Sequence, residues 1–389
     1  MSTPPRDGVI NSGAFRRLEV FGAGDPFFDA LEGAINGAAN SVDLEMYIFM
    51  LDRTGERVFQ ALVRAAHRGV RVRLVVDGIG STPYTRTLHT RARQAGILCR
   101  IYHELPWERW MRGAATVRRA PRWKQFLRRL NSRNHRKVCI VDNHVAFLGS
   151  MNVSDAHLAS VVGAAAWRDT GVVVEGEPVL RLVDGFEALW GGRLRRLGRR
   201  LRLARSRKPL APLIRLNSSR RERRENYIDL LFRLVNATQK IWITNAYFVP
   251  DGALVRALHA AAQGGVDVRI LVPRFSDVIF MPWVASAFHL GLLKAGVRIF
   301  EYQRSILHAK TMVIDDWGLV GSSNLNHRSL LHDLEVDVVV NTPEARGILE
   351  QHFLEDMQNS VEVTLETWRN RPYIERILGR MLLFFRRVL

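Results

Sequence analysis

The stretch NHRKVCIVDNHVAFLGSMN (134–152) has a counterpart in HAKTMVIDDWGLVGSSN (308–324), and this repetition constrains the fold more than anything else in the chain. In each copy a histidine is followed two residues later by a lysine, then by four residues and an aspartate, then by a Gly-Ser-x-Asn turn. The members are His135, Lys137, Asp142, Ser150 and Asn152 in the first copy, and His308, Lys310, Asp315, Ser322 and Asn324 in the second. The surroundings repeat as well. ALVRAAHRGVRVRLVVD (61–77) aligns without a gap to ALHAAAQGGVDVRILVP (257–273), each reading as a helix end, a glycine stop and an alternating strand. INGAANSVDLEMYIF (35–49) likewise matches LVNATQKIWITNAYF (234–248).

Alternating helices and strands of this kind predict an α/β protein whose helices cover a largely parallel sheet. Two copies predict two pseudo-twofold related α-β-α lobes. The expected layout is a lobe over 1–192, a basic linker over 193–212, a second lobe over 213–365 and a terminal amphipathic segment over 366–389. With 389 residues, 47% of them hydrophobic, both lobes can bury a core. Cys99 and Cys139 each sit in an apolar stretch, which predicts two buried free thiols instead of a disulfide.

Residues i and i+2 of a strand share a face, so each histidine emerges beside its lysine. If the two lobes meet about a dyad, one pocket collects two imidazoles, two ammonium groups and two amides, an address for a tetrahedral phosphoester. One imidazole would attack phosphorus while the other delivers a proton to the leaving alkoxide. Lys137, Lys310, Asn152 and Asn324, with Ser150 and Ser322 returned to the same edge, would bind the non-bridging oxygens. The ammonium groups supply the positive charge, so neither a metal nor another cofactor is expected. Asp169 and Glu335, which follow His135 and His308 by 34 and 27 residues, are the candidates for orienting the histidines. Asp142 and Asp315 belong to the catalytic motif by pattern, but their place at a strand end suits them to shaping a turn.

The duplicated His-x-Lys-x4-Asp followed by Gly-Ser-x-Asn resembles the phospholipase D superfamily, over nearly the whole chain. Through LEMYIF, AAHRGVRVRLVVDGIGS, the WRDT stretch and NAYFVP, it is most similar to bacterial cardiolipin synthases without N-terminal membrane spans. The resemblance implies a phosphohistidine intermediate, metal independence and one active site shared by two lobes, with His135 as the usual nucleophile. It implies a phosphatidyltransferase using phosphatidylglycerol, peripheral to the cytoplasmic side of a bacterial inner membrane.

Charge favours an anionic partner: 57 Lys and Arg against 38 Asp and Glu give +19. The first half carries an insertion, about 103–131, with Trp107, Trp110 and Trp123 among Arg and Lys, suited to an anionic phospholipid bilayer. The end of the chain places Met381, Phe384 and Phe385 on one face of a basic helix too short to span a membrane. The same charge also fits nucleic acid, so a phospholipase D-type hydrolase or a nuclease of the superfamily is the alternative, and a non-catalytic surface-binding protein the next. Neither the acceptor lipid nor the oligomeric state is written in the sequence.

Overall fold

The computed structural model describes residues 14–104, 132–191 and 212–383. Most of the tryptophan-rich insertion, with Trp107, Trp110 and Trp123, lies outside them, as do nearly all of the linker and Phe384 and Phe385. Among the described residues, the first lobe is built on a seven-stranded sheet in the order β1-β7-β6-β5-β2-β3-β4. Its strands are β1 (Arg17–Phe21), β2 (Ser41–Met46), β3 (Arg71–Asp77), β4 (Leu98–Tyr102), β5 (Lys137–Val141), β6 (Val145–Gly149) and β7 (Gly171–Glu175). The second lobe has eight strands: β8 (Ile214–Leu216), β9 (Lys240–Asn245), β10 (Asp267–Pro273), β11 (Arg298–Tyr302), β12 (Lys310–Ile314), β13 (Trp317–Gly321), β14 (Val336–Val340) and β15 (Ser360–Val363). Their order is β15-β11-β10-β9-β12-β13-β14-β8.

The sheets are mixed, which corrects the expectation of a largely parallel arrangement. β2, β3 and β4 run parallel, as do β9, β10 and β11, because a helix crosses over between each pair. The strand that begins each repeated motif is different. β5 turns into β6 through Asp142 and Asn143 at φ of 50° and 62°, and β12 turns into β13 through Asp315 at 49°. Tight left-handed turns of this sort join antiparallel neighbours, so β5 and β12 pair antiparallel on both sides.

Each sheet is apolar on both faces because both are covered. Cys139 and Val141 point into a core formed with Phe27, Phe28 and Leu31 of the helix Gly24–Gly37 and with Phe59 and Leu62 of the helix Arg53–His67. Val138 and Ile140 point the other way, into a core that runs across both lobes to Trp242, Val313, Val320 and Val338. The helices Leu180–Trp190 and Pro343–Gln358 add Leu182, Phe186, Leu349 and Phe353 to that shared layer. Neither cysteine is in a disulfide; Cys139 is buried, and Cys99 is only half-buried, since β4 is an edge strand.

Asp142 and Asp315 act as clamps for the strand next door. Asp142 accepts from the backbone N–H groups of Ala39, Asn40 and Ser41 at 2.9, 2.7 and 2.7 Å. Asp315 accepts from Thr238, Gln239 and Lys240 at 2.8–2.9 Å. Burial opposes ionisation at both, and these three N–H donors outweigh it and lower both carboxyls below their ordinary value. Replacing Asp142 by Ala should therefore lower the thermal midpoint by the equivalent of about 2 kcal/mol. Asp142→Asn, which keeps one acceptor and tolerates positive φ, should lose about half as much. Equal midpoints for the parent and Asp142→Ala would show that the clamp contributes nothing.

Candidate active site

The two motif strands reach the seam between the lobes, and each is tied there to the opposite lobe by main chain. His135 N–H donates to Leu334 O at 3.0 Å, and Leu334 N–H returns to Arg133 O at 2.9 Å. On the other side of the dyad, His308 N–H donates to Arg168 O at 2.8 Å, and Arg168 N–H to Ile306 O at 2.9 Å. These bridges set the residues just past Leu334 and Arg168 beside the imidazoles, and those residues are Glu335 and Asp169.

The carboxylates consequently cross. His308 Nδ1 lies 2.8 Å from Asp169 Oδ1, and His135 Nδ1 lies 3.0 and 3.1 Å from the two oxygens of Glu335. Spacing along the chain counts each acid from the histidine of its own half; in space each serves the histidine of the other half. A carboxylate accepts, so each Nδ1 carries the proton and each Nε2 keeps a lone pair. Burial, followed by the charges of Lys137 and Lys310, holds His135 well below its ordinary value, and the charge of His308 also bears on it. His308 is brought to about 4 by burial and then by Lys310. Both rings are neutral in the free site at neutral pH.

Lys137 and Lys310 lie buried close enough to the rings for their charge to act on them. Each ammonium donates to the carbonyl of its own motif histidine, Lys137 at 2.8 Å, and Lys137 also lies 5.0 Å from the Tyr47 ring. Burial pushes Lys137 down to about 7, with Lys310 adding to the effect, and pushes Lys310 down to about 8. Asn152 Oδ1 accepts from Ile48 N–H at 3.3 Å, while Asn324 Oδ1 is buried without a hydrogen-bond partner among the described residues.

The serines do not do what their spacing suggests. Ser150 Oγ donates to Thr170 O and accepts from Thr170 N–H, and Ser322 Oγ donates to Glu335 and accepts from Val336 N–H. Both are fully buried and committed to β7 or to the base of β14. Asp142 and Asp315 lie at the far end of β5 and β12, away from the histidines. Met381 is exposed on the helix Tyr373–Leu382, outside the cavity.

Several neighbours have no place in the sequence reading. His157 Nδ1 donates to the second oxygen of Asp169 at 2.8 Å, and its Nε2 accepts from Asn152 N–H at 3.2 Å. One carboxylate thus receives two imidazole N–H groups. Burial opposes ionisation of Asp169, but His308 and His157 together hold it well below its ordinary value. Glu335 is instead raised by burial, against the pull of Lys137, Ser322 and Ser329. His157 and Ser329 each follow the motif asparagine by five residues, so the duplication itself carried the signal. Tyr47 packs edge-on to His135 with ring centres 4.7 Å apart, and Trp167 and Tyr247 lie 5.5 and 6.5 Å from His308.

Comparison with known proteins follows the same outline. The family model described as "Cardiolipin synthase, PLD-like domain" matches residues 31–190 and 230–357. A cardiolipin synthase of Clostridium perfringens is 29% identical over 371 residues, 92% of this chain and 74% of that protein. Cardiolipin synthase A of Proteus mirabilis is 30% identical over 397 residues, 98% and 77% of the two chains. Among solved structures, a phosphatidylserine synthase of Haemophilus influenzae superposes with a TM-score of 0.71 over 97% of this chain and 96% of its own, at 12% identity, a likeness of fold.

The depressed lysines give a test that needs no turnover. At a pH near 8 a fraction of the two amines is neutral. An oxyanion in the cavity favours their charged forms, so binding must take protons up. Titrating inorganic phosphate calorimetrically in two buffers of different ionisation enthalpy should give enthalpies that differ in the direction of proton uptake. The difference should shrink in Lys137→Met. A buffer-independent enthalpy would contradict the assignment.

Proposed function

The chain belongs to the cardiolipin synthase, PLD-like domain family, and from that premise we propose that it is a phosphatidyltransferase making cardiolipin from phosphatidylglycerol. The observation that carries this reading is the crossed pairing, in which both motif histidines present Nε2 lone pairs at one seam flanked by two buried lysines.

In the first step Nε2 of His135 attacks the phosphorus of phosphatidylglycerol. The bond to the glycerol headgroup breaks, and a proton taken up with the substrate on His308 Nε2 passes to the departing alkoxide. Phosphatidyl-histidine and free glycerol result. His308, neutral again, removes the proton from a hydroxyl of a second phospholipid as that oxygen attacks phosphorus, and the P–N bond to His135 breaks. Lys137 and Lys310, with Asn152 and Asn324, hold the non-bridging oxygens where negative charge builds. Asp169 and Glu335 keep Nδ1 protonated, so the charge that develops on either ring is neutralised at once. Water in place of the lipid acceptor would give phosphatidic acid, a hydrolase outcome of the same chemistry. Substrate reaches the site from an anionic bilayer on the cytoplasmic face of the inner membrane, with the protein bound peripherally. Trp107, Trp110, Trp123, Met381, Phe384 and Phe385 are the side chains assigned to that contact, and no helix among the described residues is long and apolar enough to cross a membrane.

Mass spectrometry of phosphatidylglycerol vesicles incubated with the protein, with and without a chelator, should reveal cardiolipin and glycerol in both cases. Cleavage of single-stranded DNA with inert vesicles would favour the nuclease reading instead. His308→Ala should lower turnover by about 10³-fold or more, since it removes a proton-transfer group from both steps. Normal turnover would contradict a shared site. His157→Phe keeps the ring volume but removes the second donor to Asp169, and should lower kcat roughly 10- to 100-fold. His157→Asn, which can restore that donor, should recover most of the loss. Equal defects in the two variants would make His157 a packing residue only.

A further inference from the structure

On the rim of the second lobe, the loop between β10 and the helix Met281–Lys294 raises two apolar side chains into solvent. Phe275 is 56% exposed and Ile279 77%. Beside it lies the helix Tyr373–Leu382, packed so closely on Met281–Lys294 that Gly379 has no room for a Cβ against the Trp283 carbonyl. That contact turns Ile377 and Met381 outward, Met381 to 62% exposure. Leu382 and Leu383 enter the same small apolar cluster as Val278, Phe280, Met281 and Val284, so loop and helix share one foundation.

This ledge borders the histidine site. Between Phe275 and Ile279 stands Asp277, both of whose carboxylate oxygens accept from Tyr247 O–H at 2.7 Å. Tyr247 belongs to the cluster beneath the ledge and faces His308, and the charge of Asp277 bears on His308 and Lys310. Isolated exposed apolar residues are ordinary, whereas a group of them bordering a reactive cavity marks a contact surface. The flanking charge selects the partner: Arg274 precedes the loop, and Arg376 and Arg380 lie on the terminal helix. Apolar side chains beside three arginines, against the two acids Asp277 and Glu375, match the boundary between acyl chains and anionic headgroups.

We propose that Phe275, Ile279, Ile377 and Met381 form a docking ledge that seats the mouth of the cavity on the surface of an anionic lipid bilayer. The inference rests on the phosphatidyltransferase reading for its purpose but not for its test. It extends the bilayer contact to a loop whose sequence, RFSDVIF, shows no amphipathic period.

The test compares the full chain with Phe275→Ser/Ile279→Ser and, separately, Ile377→Ser/Met381→Ser. Sedimentation with vesicles of mixed phosphatidylglycerol and phosphatidylcholine should show partition coefficients lower by about tenfold in each pair. Turnover of short-chain phosphatidylglycerol, kept monomeric below its micelle concentration, should stay within about twofold of the parent. Unchanged partitioning in both pairs overturns the ledge. So does an equal loss on monomeric substrate, because the loop would then act on the chemistry. If the parent turns over no lipid yet the variants still lose vesicle binding, the ledge stands and the enzyme assignment falls. Parent protein that is retained by single-stranded DNA and ignores vesicles overturns the choice of partner.

Discussion

Two hydrogen bonds across the seam, His308 to Asp169 and His135 to Glu335, are the interaction on which the site depends. Each joins a ring carried by one lobe to a carboxylate carried by the other. Main-chain bridges at Leu334 and Arg168 hold the partners in register, so the pairs are as rigid as the two sheets that carry them. The shared core through Val138, Ile140, Val313 and Val320 keeps those sheets together. Apolar packing between the lobes and the geometry of the reactive nitrogens are thus a single structural fact.

Burial gives the same groups their chemistry. Two ammonium groups enclosed so near one another are costly in charged form, and the protein answers with Glu335, Asp169 and Asp333 around them. Burial and the charge of Lys310 accordingly depress Lys137, and burial depresses Lys310. Each ammonium is meanwhile anchored on the carbonyl of its own motif histidine, so both cations are held in place beside the rings. The unequal support of the two carboxylates, imidazole for Asp169 and hydroxyl for Glu335, shows that the duplicated halves are not interchangeable.

Much of this was legible in the residues. A repeated motif with matching flanks specifies two α/β lobes, and strand periodicity puts each histidine beside its lysine. The acids were legible as candidates, but the crossing was not, since separation along the chain says nothing about which lobe closes over which strand. The hydroxyls of Ser150 and Ser322 are not legible, because a Gly-Ser turn that returns the chain to the site can equally aim its hydroxyl at the next strand. The parallel sheet was overestimated because the turns at Asp142 and Asp315 look like strand ends until their positive φ values show hairpins. His157 stands in the register of Ser329, so the duplication marks the position, while its tie to Asp169 appears only in the fold. The exposure of Phe275 and Ile279 leaves no trace in the sequence, because exposure in an irregular loop follows from tertiary packing.

The exchange of carboxylates between lobes bears on ancestry. Half of this molecule alone would hold an imidazole lacking its acid and an acid lacking its imidazole, and could not run the cycle. A pair of identical halves about a true twofold axis would supply every missing partner. Joining such a pair in one chain removes the concentration dependence of assembly and lets the two copies differ, as they do here, where one acid rests on a histidine and the other on serines.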